Sequence, residues 1–312
     1  MKDYGLLRSW WLAFARRAAR AYVAGPELED AVRVCSRLFH DGIRTTLCYW
    51  NYHDDSPQFV SDSCLKAVNA LSDYDSYLSI KAPALQFRQE LLLPVLDRAR
   101  RRQLGIHFDS HGCDAADQTL GMTSQSLRRY RKLSLTLPGR WRRSLRDADW
   151  AAESGLRVRV VKGQWEDPVA PGLDLASGFL AVVGRLAGRA CQVAVASHDI
   201  PLARRALEIL RAAGTSCELE LLFGLRLVPG LRLAREMDVP VRVYIPYGRA
   251  WLPYCVSQAA GNPRFLWWVL RDFCLGGNFR IPESLSAPPP PRTRTLGWNT
   301  PVEAPAFNPR ES

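Results

Sequence analysis

A set of polar residues closes short apolar runs in this chain: Lys81, Asp109, Thr136, Arg159, Lys162, His198, Glu218, Glu220 and Tyr244. A charged side chain at the end of an otherwise apolar strand is costly to keep unless it meets a partner or a ligand. Lys81 and Asp109 together can accept or relay a proton. Arg159 and Lys162 supply fixed positive charge, which stabilises negative charge building up on a bound group. The competing reading is structural, with Arg159 and Lys162 in ion pairs with Glu218 or Asp109, since structural networks also gather charges in clefts.

The elements that must position these residues alternate. Apolar, strand-like runs fall at about 43–49, 76–82, 104–109, 133–137, 156–162, 191–196, 217–222 and 240–245. Amphipathic, helix-like segments fill the gaps at 57–71, 86–102, 114–131, 140–153, 173–187, 199–213, 226–236 and 251–274. Eight β/α repeats with short loops predict an α/β protein with a (β/α)8 TIM-like barrel, in which chemistry sits at the C-terminal ends of the strands. The expected organisation is an N-terminal helical segment over 1–41, a barrel over 42–275 and an irregular Pro-rich tail over 276–312, with Pro288 to Pro291 as its core.

Four segments, taken in order, resemble the proline dehydrogenase family, and the resemblance covers roughly residues 40 to 275. SIKAPAL (79–85) is similar to the second-strand segment whose lysine lines the active site, here Lys81, and FDSHGCDAAD (108–117) to the third-strand segment whose aspartate lies beside it, here Asp109. RVVKGQW (159–165) resembles the fifth-strand motif R-L-V-K-G-A-Y, and VASHD (195–199) with ELELLFG (218–224) resembles the sixth- and seventh-strand motifs that hold FAD. VRVYIPYGRAWLPY (241–254) resembles the last strand and helix.

The resemblance implies an FAD-dependent oxidoreductase of proline metabolism that transfers hydride from a cyclic amine to flavin N5, giving an imine. It implies catalytic roles for Lys81, Asp109 and Arg159, the arginine lying near N5. Cofactor binding falls to Arg159, Val161, Lys162, Gly163, Ser197, His198, Glu220 and Thr136. Substrate binding falls to Lys81, Asp109, Gln164, Trp165, Leu222, Tyr244, Tyr254, Ser257 and Gln258.

The departures gather on the substrate side. Two adjacent arginines that clamp the substrate carboxylate in the family are Ser257 and Gln258 here, and the Ala-Tyr of the fifth-strand motif is Gln164 and Trp165. Thr136 and Glu220 each stand where the family has glutamine, and the first-strand segment TTLCYWN lacks the usual acidic spelling. Losing a buried bidentate partner for a carboxylate costs about 2–5 kcal/mol. The expected substrate is therefore proline or a proline derivative whose carboxyl is masked or absent. A substrate tethered to an acidic carrier protein would suit the positive chain, Arg249 and Arg264 are candidate replacement cations, and the electron acceptor stays unassigned. The alternative is a non-catalytic flavin- or ligand-binding barrel acting as an interaction protein.

Composition narrows the field further. The 312 residues carry 42 basic against 31 acidic side chains, a net charge of +11, which favours an anionic partner. The clusters Arg98 to Arg102, Arg128 to Lys132 and Arg140 to Arg143 fall on helix-like segments, where such runs usually form a solvated face, and no nucleic-acid signature accompanies them. The eight cysteines show no C-x-x-C pair and no metal-ligand spacing with histidine, so neither a metal site nor a disulfide framework is expected, and a reducing cytoplasm is. Arginines interrupt the N-terminal apolar stretch, so no signal peptide or spanning helix is expected; its aromatics leave room for peripheral membrane contact.

Overall fold

A computed structural model of the chain describes residues 24–71 and 74–248, together with Pro305 and Phe307. The N-terminal segment before residue 24, the expected helix 251–274, and Arg249, Tyr254, Ser257, Gln258 and Arg264 lie outside the described residues.

Eight parallel strands lie side by side in chain order and close into a barrel. They are β1 (Arg44–Tyr49), β2 (Ser76–Ile80), β3 (Gly105–Phe108), β4 (Leu133–Pro138), β5 (Arg157–Val161), β6 (Gln192–Ala196), β7 (Cys217–Leu222) and β8 (Val241–Tyr247). Closure comes from β8 pairing with β1, Arg242 beside Arg44 and Tyr244 beside Thr46. Each strand lies within two residues of its expected span at either end.

Around the barrel lie α1 (Leu28–His40), α2 (Pro57–Ala70), α3 (Gln89–Arg102), α4 (Ala116–Leu127), α5 (Ser144–Glu153), α6 (Leu175–Leu186), α7 (Ile200–Ala212) and α8 (Val228–Glu236). Local chemistry starts several of them. Ser56 caps α2 by accepting from the Phe59 N–H, with Pro57 at the first helical position; Asp174 caps α6 and Asp199 caps α7 in the same way. Two helices begin three or more residues later than the periodicity predicts. Gln86 and Phe87 take left-handed φ values of 51° and 54°, which delays α3. The residues before α5 bond instead to the loop after β5: Arg140 N–H donates to Lys162 O at 3.1 Å and Arg142 N–H to Asp167 Oδ2 at 2.6 Å.

The barrel wall has two opposed faces, as the two-residue period of a strand demands. Outward residues such as Leu47, Leu78, Ile106, Leu135, Val158, Val193, Leu219 and Val243 are buried beneath the helices and form one apolar core. The inward set is polar and charged: Tyr77 and Ser79, His107, Ser134 and Thr136, Arg157 and Arg159, Glu218 and Glu220, Arg242 and Tyr244. Contacts between strands that are not neighbours fix this direction. Arg157 on β5 reaches Glu218 on β7, and Arg159 on β5 reaches Asp109 after β3, both across the lumen. The intervening β6 sets Ala194 beside Arg159 and Glu218 and Ala196 beside Glu220, and these small side chains leave room for the guanidiniums.

The tail is partly anchored. Trp150 on α5 donates its indole N–H to Pro305 O at 3.2 Å and meets the Phe307 ring edge-on at 5.3 Å, while the Phe307 N–H reaches Ser124 Oγ on α4 at 3.4 Å. Phe307 thus joins the apolar layer, although the sequence around it has no helical or strand period.

Candidate active site

Charges inside the barrel form a ladder from its N-terminal floor to its C-terminal mouth. At the floor Glu218 accepts from three arginines: Arg157 Nε at 3.0 Å, Arg242 Nε at 2.8 Å and Arg44 Nη1 at 3.2 Å. Tyr77 lies between Arg157 and Arg242, whose guanidinium carbons stand 4.8 and 4.9 Å from its ring centre. Such cation–π contacts suit a dry interior. Gly105 makes this possible, since a Cβ there would lie 2.3 Å from the Tyr77 ring.

One step up, Glu220 accepts from Arg157 Nη2 at 2.8 Å and Arg159 Nη1 at 3.2 Å. Arg159 continues upward, donating from Nη2 to Asp109 Oδ1 at 2.5 Å and from Nε to Thr136 Oγ1 at 3.0 Å. Asp109 Oδ2 receives the Tyr244 hydroxyl at 2.8 Å, and the Arg159 guanidinium lies 4.8 Å over the Tyr244 ring. Four arginines (44, 157, 159, 242) therefore face four carboxylates (75, 109, 218, 220) in these pairs.

The ionisation states follow from the ladder. Burial pushes the Glu218 carboxyl up, but Arg242 and Arg157 outweigh it and hold the group well below the usual carboxylate range. Glu220 is lowered in the same way by Arg159 and Arg157, and Asp109 by Arg159, Lys81 and the Tyr244 hydroxyl. His107 is neutral, because burial and the arginines Arg159, Arg157 and Arg242 disfavour its cation; its two ring nitrogens meet Ser134 and Thr136, each at 2.7 Å. Burial and the neighbouring Asp109 raise the Tyr244 phenol well above its ordinary value, so it stays a donor.

Above the ladder opens a cavity of about 380 Å³, lined by Trp50, Lys81, Asp109, Ser110, His111, Thr136, Val161, Gly163, Gln164, Trp165 and Tyr244. The structure thus brings Lys81, Asp109, Thr136, Val161, Gly163, Gln164, Trp165 and Tyr244 together at one mouth, with Arg159 buried beneath them. The expected Lys81–Asp109 pair does not close. Arg159 and Tyr244 occupy the carboxylate instead, and Lys81 Nζ lies 5.3 Å over the Trp50 ring. Lys162 leaves the cavity and pairs with Asp199 at 2.8 Å, so its structural partner is neither Glu218 nor Asp109.

Others of the expected set do not line this cavity. Ser197 accepts the Asp199 N–H at 3.1 Å. His198 Nε2 accepts the Leu222 N–H at 2.8 Å, tying the end of β6 to the end of β7, and burial lowers its pKa to about 4. Glu220 touches the cavity only through Arg159.

Sequence reasoning missed Trp50, Ser110 and His111, which follow the ends of β1 and β3 by one to three residues. It also passed over Arg157 and Arg242. The signal for Arg157 was legible: Arg157-x-Arg159 on one strand and Glu218-x-Glu220 on another put two like charges on the same face of each. The wall beside Trp165 is built from below, as Arg140 Nη1 donates to Gln164 O and Trp141 Nε1 to Trp165 O, both at 3.0 Å, and His111 stacks on Trp165 at 4.8 Å.

No protein-family model matches the chain. Proline dehydrogenase 1 of Bacillus subtilis subsp. natto is 28% identical over 276 residues, covering 82% of this chain and 90% of that protein. Proline dehydrogenase of Deinococcus radiodurans is 25% identical over 283 residues, covering 83% and 90%. Among solved structures, proline utilization A from Bdellovibrio bacteriovorus inactivated by N-propargylglycine superposes with a TM-score of 0.69 at 15% identity. It covers 77% of this chain and 32% of that one, and carries the fold alone. Over most of its length the chain is homologous to the proline dehydrogenases and has a closed (β/α)8 barrel.

Proposed function

We propose that this chain is an FAD-dependent dehydrogenase of proline-type cyclic amines. The observation that carries the reading is Arg159, a buried cation aimed at the mouth of a barrel whose relatives along 82% of the chain are proline dehydrogenases. The residues present fit a flavin. Arg159 supplies fixed positive charge, Val161 and Gly163 line the rim, and Gly163 at φ 98° lets backbone approach where a Cβ would crowd Pro138 at 2.9 Å. When bound there, FAD supplies the two-electron acceptor.

The substrate would give a C–H hydrogen with its electron pair to that acceptor and an N–H proton to solvent, and so become an imine. Asp109, ionised and fixed by Arg159 and Tyr244, accepts a hydrogen bond from the amine nitrogen and orients it. Lys81 holds the other side of the cavity, and Trp50, Trp165 and Tyr244 keep it poor in water. Ser257 and Gln258, which lie outside the described residues, stand in the sequence where the family has its paired arginines, and neither side chain carries the charge that clamps a free carboxylate. The substrate is thus a proline whose carboxyl is masked as an amide, ester or thioester, and an acidic carrier suits the net charge of +11. The non-catalytic barrel considered as an alternative is favoured by no observation of the site or of the relatives. Among the described residues no helix is long and apolar enough to cross a membrane; a reducing cytoplasmic location is part of this proposal and rests on the cysteine spacing.

Anaerobic bleaching of the flavin absorbance, with L-proline and L-prolinamide titrated side by side, tests the reading. Bleaching by prolinamide at lower concentration than proline is expected. Efficient bleaching by proline reassigns the substrate, and failure of both amines to bleach a bound flavin overturns the activity.

A further inference from the structure

Glu220 occupies a position the proposed reaction does not use directly. It is buried, lies beneath the cavity rather than on its wall, and divides its two oxygens between Arg159, which faces the mouth, and Arg157, which belongs to the closed floor. Arg157 is in turn held by Glu218, which Arg44 and Arg242 share. Arg159 therefore faces the mouth between two carboxylates, Asp109 and Glu220, and the second is itself partly neutralised from below. In a dry interior such neighbours are weakly screened, so each shifts the potential at the mouth.

We propose that Glu220 is a positioning residue that sets how much positive potential Arg159 presents to the bound flavin, with Arg157 acting against it from the floor. The proposal rests on the flavin reading above. Its physical content is a sign. Reduction adds electron density to the flavin, so a more positive site favours the reduced form. Removing the charge of Glu220 leaves Arg159 less neutralised and must raise the midpoint potential. Removing the charge of Arg157 leaves Glu220 wholly to Arg159 and must lower it. A loosened barrel has no such signature, since loosening draws both variants the same way, toward the value of free flavin.

The test is an anaerobic reductive titration of the FAD-loaded full chain against a reference dye, comparing wild type with Glu220→Gln, Arg157→Gln and Glu220→Asp. Glu220→Gln is expected to favour reduction by about tenfold, which for a two-electron couple is a rise of about 30 mV, and Arg157→Gln to disfavour it by a similar factor. Glu220→Asp keeps the charge and is expected to stay near wild type. Shifts of the same sign, or no shift in either charge-removing variant, overturn the proposal. If Glu220→Gln does not fold, Arg157→Gln is read beside Glu220→Asp: a potential lowered in the first and unmoved in the second supports the proposal, and an unchanged or raised potential in the first, or an equal shift in both, overturns it. A wild-type chain that binds no FAD overturns the flavin reading itself and this proposal with it, whereas bound flavin with unmoved potentials overturns the proposal alone.

Discussion

The floor and the mouth of the barrel use the same residue types to opposite ends. At the floor, Glu218 serves three arginines and each of Arg157 and Arg242 meets a carboxylate, an aromatic face and an oxygen from Ser134 or Thr45. At the mouth, Lys81 lies over Trp50 without closing an ion pair among the described residues, and Trp165 is 37% exposed. Satisfied buried charges hold one geometry and are costly to break, whereas a cation without a fixed partner can meet a ligand at little cost. The floor is preorganised, and the mouth is left adaptable.

The comparison breaks most readily at Glu218. Glu218→Ala removes the carboxylate that three guanidiniums share, leaving them only Glu220 and Asp75, and should cost about 3–5 kcal/mol of stability, read by urea or thermal unfolding. A loss below about 1 kcal/mol would mean that the floor holds no more than the mouth does.

Acid sharpens the contrast next. His198 has its pKa depressed from 6.5 to about 4. A histidine buried neutral contributes stability that is complete above its unfolded pKa and is lost as pH falls through the folded one. Unfolding titrations should therefore show a loss of stability as pH falls below 6.5, of which His198→Gln removes up to about 3 kcal/mol, while the part due to the buried neutral His107 stays. The lowered carboxylates of Glu218, Glu220 and Asp109 add a further loss only below about pH 4.5, where the unfolded chain begins to take up their protons.

Smaller still is the effect of Gly105→Ala, which forces the Tyr77 ring off the arginines and should cost about 1–3 kcal/mol. At the mouth, Lys81→Met should leave stability within about 0.5 kcal/mol while slowing substrate-driven bleaching at least tenfold, about 1.4 kcal/mol in the barrier. Equal losses of stability and rate would show that Lys81 belongs to the structural ladder after all. On the outer surface, Arg204→Ala removes the exposed pair with Glu236 and should leave the unfolding midpoint where it is in the wild type.

Much of this was legible along the chain. Runs such as Val158 to Val161 and Leu219 to Leu222 are apolar on one face and recur between amphipathic segments, so strand positions and barrel class followed from local pattern. The late starts of α3 and α5 did not, because left-handed Gln86 and the bonds of Arg140 and Arg142 to a distant loop are invisible to periodicity. The strand-end polar residues were also legible, since an unexplained charge is conspicuous beside apolar neighbours. Their partners were not. Lys81 and Asp109 stand on adjacent strands, yet Asp109 is taken by Arg159 and Tyr244, which approach across the lumen from 50 and 135 residues away.

By itself the sequence determined the alternation of elements, the two faces of each strand and the residue types carried to the mouth, because these depend on periods of a few residues. Only the tertiary structure decided which charge meets which. That choice depends on barrel closure, on the small side chains of Ala194 and Ala196 between β5 and β7, and on the strand register, which seats Arg157 and Glu218 at the floor and Arg159 beneath the cavity that Asp109 lines. Coulomb energy between buried groups depends on distances of a few ångströms, and those are set by how distant strands face one another across the lumen.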